Sequence, residues 1–123
     1  MKIAISASSP DLKAEIDPRF GRAACFIVVE EESQEWVAYD NPARDATGGA
    51  GVQAARFIAA KGADVAISGA FGPNAYEIMA ATGLRMFVFQ DNGSLKVSEV
   101  LSRFRDGELD PVTGPSGPGH HGK

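Results

Sequence analysis

Cysteine is almost missing from this chain of 123 residues: Cys25 stands alone. No intrachain disulfide can form, and a four-thiolate zinc or iron–sulfur site within one chain is excluded by count. Histidine is as scarce, present only as His120 and His121, so a nucleophile paired with an imidazole base has no base in the body of the chain. Long hydrophobic runs are absent too. Residues 2–6, KIAIS, are too short for a signal-peptide core, and nothing approaches the ~20 apolar residues of a membrane span. Basic residues are outnumbered, 12 Lys and Arg against 16 Asp and Glu, and the formal charge of −4 is the wrong sign for binding a phosphate backbone. The first apolar run carries no carboxylate, whereas a metal-dependent nuclease on such a sheet needs clustered acids. The expectation these absences set is a cytoplasmic, acidic protein with no nucleic-acid or membrane partner, and not an enzyme.

What is present suffices for one ordinary domain. An apolar content of 44% can bury a substantial core at this length without disulfide or metal staples. KIAIS reads as a buried strand and is followed by a polar stretch, ASSPDLKAEIDPRFGR, without periodicity. CFIVVE (residues 25–30) and EWVAYD (residues 35–40) are β-branched and aromatic runs joined by the acidic EESQ, the pattern of an antiparallel hairpin. A helix is expected from about Gly51 to Lys61 with Gly62 as its stop, then a buried strand DVAIS (residues 64–68). Pro73 first and Gly83 last mark a second helix, RMFVF (residues 85–89) a further strand, and Ser94 the cap of a last helix whose apolar face is Val97, Val100, Leu101 and Phe104. The segments AAKGADVAI and AATGLRMFV, 21 residues apart, repeat one grammar of helix end, glycine stop and parallel strand. A hairpin at one edge followed by right-handed crossovers gives a five-stranded mixed sheet with helices on both faces. Residues 1–109 are therefore read as the folded domain. Residues 110–123, half of them Gly or Pro with a single apolar side chain, are read as a flexible Gly/Pro/His tail that cannot offset its own ordering entropy.

Ligands of such sheets bind beyond the carboxyl ends of the parallel strands, which directs attention to three loops. GAGVQA (residues 49–54) has the spacing of a dinucleotide loop, but no strand immediately precedes it and Asp64 opens the next strand instead of closing it; no Lys follows as a phosphate loop requires. What remains is a glycine-rich helix start, whose exposed N–H groups and positive dipole end favour an anion, or else a closely packed cap. In DPRFGRA (residues 17–23), Arg19 and Arg22 either hold an anionic ligand or pair with Asp17 while Phe20 fills the core. GAFGPNA (residues 69–75) leaves a strand and enters a helix with Asn74 on the rim, or is turn chemistry alone. As metal ligands only His120, His121 and Cys25 are available; the histidines stand as ligands on an arm or as solvated residues without a role, and Cys25 reads as a small hydrophobe.

Taken in order, the motifs FGRA, GGAGVQAA, GADVAISGAFGPNA and TGLRMFV resemble the dinitrogenase iron-molybdenum cofactor biosynthesis family, from about Lys2 to Leu109. The resemblance implies a three-layer α/β/α ribonuclease H-like motif with strand order 3-2-1-4-5 and strand 2 antiparallel. It implies a binding or carrier protein for an anionic iron–sulfur or iron-molybdenum cofactor, or a precursor, in metallocluster assembly, with that cluster and cluster-assembly proteins as partners. A protein-interaction or regulatory domain with no cluster is the alternative. Carried over by position, the motif residues are Arg19, Phe20, Gly21 and Arg22; Gly48, Gly49, Gly51 and Gln53; and Gly69, Gly72, Pro73 and Asn74. One cysteine and two tail histidines give one chain few ligands, so electrostatic holding or two chains sharing a cluster are the easier arrangements. The chain is expected as a monomer or weak homodimer.

Overall fold

The computed structural model describes residues 1–89 and 95–114. In chain order its elements are β1 (Lys2–Ala7), β2 (Cys25–Glu30), β3 (Trp36–Asp40), α1 (Ala50–Ala60), β4 (Val65–Ser68), α2 (Pro73–Ala81), β5 (Arg85–Val88), α3 (Val97–Arg105) and β6 (Asp110–Pro111). Side chains alternate across a strand, and that period sorts the core into two halves. Ile3, Ile5 and Ala7 of β1, Ile27 and Val29 of β2, and Val65 and Ile67 of β4 face Val97, Val100 and Leu101 of α3. Ala4, Phe26, Val28 and Ala66 face the other way, onto Ala54, Ala55 and Ile58 of α1 and Ala75 and Met79 of α2. The result is three layers, with two helices on one face of the sheet and one on the other. α1 stops at Gly62, whose φ of +83° suits glycine, and Ala63 donates its N–H back to the Ile58 carbonyl at 3.1 Å; a second use of the same stop precedes β5.

The sheet runs in the order β3-β2-β1-β4-β5-β6. β1 pairs antiparallel with β2 and parallel with β4, while β2–β3 is antiparallel and β4–β5 parallel. The expected order 3-2-1-4-5 with an antiparallel second strand is therefore the observed one, extended by a sixth strand. That extension corrects the strand count of five and changes the start of the expected tail. Asp110 and Pro111 pair antiparallel with Val88 and Phe87, the Val112 N–H donates to the Met86 carbonyl at 2.9 Å, and Tyr76 Oη donates to the Thr113 carbonyl at 3.0 Å. The physical reason is local. A proline is tolerated on an edge strand, where its missing N–H need not serve a neighbour, and Val112, the segment's one apolar side chain, packs on the α1/α2 side of the core. Ser94, His120 and His121 lie outside the described residues. α3 itself begins at Val97, where the Glu99 carboxylate accepts the Lys96 N–H at 2.8 Å.

The long segment between β1 and β2 has no regular structure of its own but is laced to the sheet. Ile16 is buried and donates its N–H to the Leu95 carbonyl at 3.0 Å. Among the described residues, no helix is long and apolar enough to cross a membrane.

Candidate functional site

Two helices, α1 and α2, begin on the rim formed by the carboxyl ends of β1, β3 and β4. Between their first turns lies a cleft of ≈ 260 Å³. Its walls are Gly49, Ala50, Gly51 and Val52 from the start of α1, and Gly72, Pro73, Asn74 and Ala75 from the start of α2; Phe20, Gly21 and Ala70 complete it. The first N–H groups of a helix have no partner within it. At neither helix does a side chain cap them, and neither first turn contains an acidic residue. Each helix end therefore presents its positive pole to the cleft, and among the described residues Asn74 supplies the only polar side chain in the lining. Pro73 fits at its position because it has no N–H to leave unpaired.

The glycines divide into two kinds. Gly49 precedes α1 with φ +70°, and a side chain on Gly48, Gly49 or Gly72 would meet nothing within 4 Å. Those three open the cleft mouth and its edge. A Cβ on Gly21, by contrast, would stand 2.8 Å from the Gly51 nitrogen, and one on Gly69 2.8 Å from Pro18. A Cβ on Gly51 would stand 3.3 Å from the Ala75 methyl. These close approaches, backbone on backbone at Gly21 and backbone on the Ala75 methyl at Gly51, set the spacing of the 17–23 loop, α1 and α2 and so the width of the cleft.

The DPRFGR loop is fixed from below. The Ser6 hydroxyl, at the end of β1, donates to the Asp17 carbonyl at 2.6 Å and lies 2.9 Å from the hydroxyl of Ser68, at the end of β4. Asp17 is buried; its carboxylate accepts the Arg19 backbone N–H at 3.0 Å and the guanidinium Nε at 3.2 Å. That pair holds Arg19 more firmly in its charged form, through the hydrogen bond first and the charge of Asp17 second, although the Arg19 side chain stays 68% exposed. Arg22 spends its guanidinium on the carbonyls of Arg44 and Ala46, at 3.0 and 2.6 Å, and so ties down the approach to Gly48 and Gly49. Phe20 is buried in an aromatic cluster with Phe26 and Phe71 and forms the cleft floor.

The structure thus brings together Phe20, Gly21, Gly49, Gly51, Gly72, Pro73 and Asn74. Arg19, Arg22, Gly48, Gln53 and Gly69 flank the cleft without lining it. Cys25 is placed elsewhere, buried in the core half that faces α3, where Sγ donates to the Ala7 carbonyl at 3.6 Å. Burial pushes its thiol above the ordinary range, and the charge of Asp40 adds to the shift. Sequence reasoning missed Asn41. This buried amide donates to the carbonyls of Gly21 and Ala23 at 3.0 and 2.9 Å and accepts the Ala43 N–H at 2.9 Å, joining the 17–23 loop to the approach to α1. The available signal was an Asn-Pro pair at a strand end, common in turns of any kind. Ala70 and Val52 were also missed, having no chemistry to mark them.

A model of the family described as dinitrogenase iron-molybdenum cofactor matches residues 1–107. Among solved structures, the apo form of the orange protein from Desulfovibrio gigas is 37% identical, covers 94% of this chain and 96% of its own, and superposes with a TM-score of 0.88. A NifB-type protein of the DUF35 family from Thermotoga, solved by NMR, is 30% identical over 96% of this chain and 98% of its own, with a TM-score of 0.82. No curated protein matches the chain significantly.

Proposed function

Since the chain belongs to the dinitrogenase iron-molybdenum cofactor family, we propose that the cleft between α1 and α2 receives an anionic iron–sulfur or iron-molybdenum cluster as cargo. The single observation that carries this reading is two uncapped, acid-free helix starts walling one cleft. Each such helix end contributes about 0.3–1 kcal/mol toward an anion, and up to ~2 kcal/mol where partly shielded from water. The donor set fits an anion that accepts hydrogen bonds, since among the described residues the walls offer backbone N–H groups and the Asn74 amide but no thiolate or imidazole. Holding by these walls is then electrostatic and geometric. Asn41, Arg22 and the Ser6–Ser68 pair keep the loops from relaxing into the cleft. The role proposed is that of a carrier, not an enzyme. Cluster-assembly proteins in the cytoplasm are the partners this role calls for.

The test is anaerobic mixing of the full chain with isolated iron-molybdenum cofactor, or with a synthetic iron–sulfur cluster, followed by gel filtration and metal analysis. Metal co-eluting in near-stoichiometric amount supports the carrier. No metal above that retained by a control protein of equal charge overturns it and leaves the interaction domain without a cluster.

A further inference from the structure

The sheet has two edges, and they are built differently. β6 is two residues long and contains Pro111, so that edge is short and lacks one donor, the usual protection against pairing with another chain. β3, at the other edge, is five residues with no proline and no lysine. It also concentrates exposed apolar surface: Val37 is 52% and Trp36 39% exposed, and among the described residues the only other large hydrophobic so exposed is Met1.

The backbone of β3 has a definite polarity. Glu30 donates its N–H to the Glu35 carbonyl at 2.8 Å, and Asn41 donates to the Ala24 carbonyl at 3.1 Å. With Val37 opposite Val28 and Tyr39 opposite Phe26, these bonds fix the alternation: residues 35, 37, 39 and 41 turn their N–H and C=O groups to β2. The groups of Trp36, Ala38 and Asp40 consequently point out of the sheet.

We infer that β3 pairs antiparallel with β3 of a second copy of this chain, with Ala38 on the two-fold axis. In that register Ala38 exchanges both hydrogen bonds with its own copy, and Trp36 exchanges both with Asp40, so every outward N–H and C=O of the three residues is satisfied. Val37 then stands opposite Tyr39 in the closer, non-hydrogen-bonded spacing, which joins an exposed valine to an aromatic ring. On the opposite face the two small Ala38 side chains leave room for the Trp36 indoles to lie diagonally across the axis. No like charges face each other directly: Asp40 meets Trp36, and Glu35 meets Asn41. The pairing makes one continuous sheet from two copies. Because it reverses one copy, the two clefts open at opposite ends and each remains complete within its own chain. The pairing therefore stands or falls independently of the cargo.

Sedimentation velocity of the full chain, from micromolar to near-millimolar concentration, tests this. The expected result is a reversible monomer–dimer equilibrium. Ala38→Pro removes an N–H that points away from the sheet, at an edge position that accepts proline; it should leave the circular dichroism and melting near wild type while weakening dimerisation at least ~10-fold. Val37→Lys, at an exposed position, should weaken it similarly and carries the test should the proline variant fold poorly. A wild-type chain that stays monomeric throughout overturns the inference, as does a dimer that survives in a folded Ala38→Pro or Val37→Lys variant.

Discussion

Gly21 and Gly72 both border the cleft, yet their missing side chains serve different ends, and substitution separates them. A methyl on Gly21 collides with the backbone of Gly51 at 2.8 Å, which no side-chain rotation can relieve. Gly21→Ala should therefore cost about 1–3 kcal/mol of stability, the range for overpacking a filled site. Gly72 has φ −70° and open space around it, so Gly72→Ala should change stability by no more than about 1 kcal/mol, the spread between residues at a helix N-cap. Urea unfolding of both variants checks the pair; equal losses would mean the spacing of loop and helices is not set by Gly21. Cys25 gives a second residue-scale outcome. Burial raises its thiol pKa, so in the unfolded chain the thiol ionises first, near its ordinary value of ~8.5. Above that pH the unfolded state binds fewer protons than the native one, and stability falls as pH rises. The stability difference between wild type and Cys25→Ala should stay constant up to about pH 8 and then shift against wild type. Native protein should also resist alkylation until denaturant is added. Rapid labelling of the folded chain would show the thiol to be accessible after all.

At the scale of elements, α2 offers a test in which stability and binding move in opposite directions. Asn74→Asp places a carboxylate in the first turn, where the helix dipole favours it by about 0.3–1 kcal/mol, so melting should hold or rise slightly. The same charge sits in the wall of the cleft and repels an anionic cargo; a tenfold weaker affinity corresponds to ~1.4 kcal/mol, a modest demand on two charges at close range. Calorimetry for stability and equilibrium gel filtration for cargo would read both signs in one variant. Binding that is unchanged while stability rises would move the cargo away from the helix starts. The elements themselves were largely legible in the sequence, for a physical reason: KIAIS, CFIVVE and DVAIS are buried on both faces, and Pro73, Gly62 and Gly83 mark helix limits by backbone chemistry alone. β6 was not legible, because its pairing comes from the neighbouring β5 and from one valine, with nothing in DPVTG to signal a strand. The site was legible as loops but not as roles. Arg22 and Gly51 carry the residue types of an anion site, and only the fold reveals that one clamps carbonyls and the other admits Ala75. Asn41, with three hydrogen bonds, was marked only by an Asn-Pro pair that turns of any kind share.

For the whole molecule the relevant quantity is charge, and two ranges of it act in opposition. The chain carries a formal −4, so an anionic cluster approaching from solution meets a repulsive field. Within the cleft, the poles of α1 and α2 act at contact, where intervening salt has little space to screen them. The Debye length shrinks from ~30 Å at 0.01 M salt to ~8 Å at 0.15 M. Added salt should thus remove most of the long-range repulsion while sparing the local attraction. Capture of a synthetic iron–sulfur cluster dianion, followed by its visible absorbance in an anaerobic stopped-flow instrument, should become faster across that range, with the release rate changing little. Proteins that capture anions through a basic surface behave in the opposite way, because salt screens the attraction that steers their encounter. Capture that slows with salt would therefore mean that exposed cations, with Arg19 and its 68% exposed side chain the first to substitute, guide the cargo in despite the overall charge.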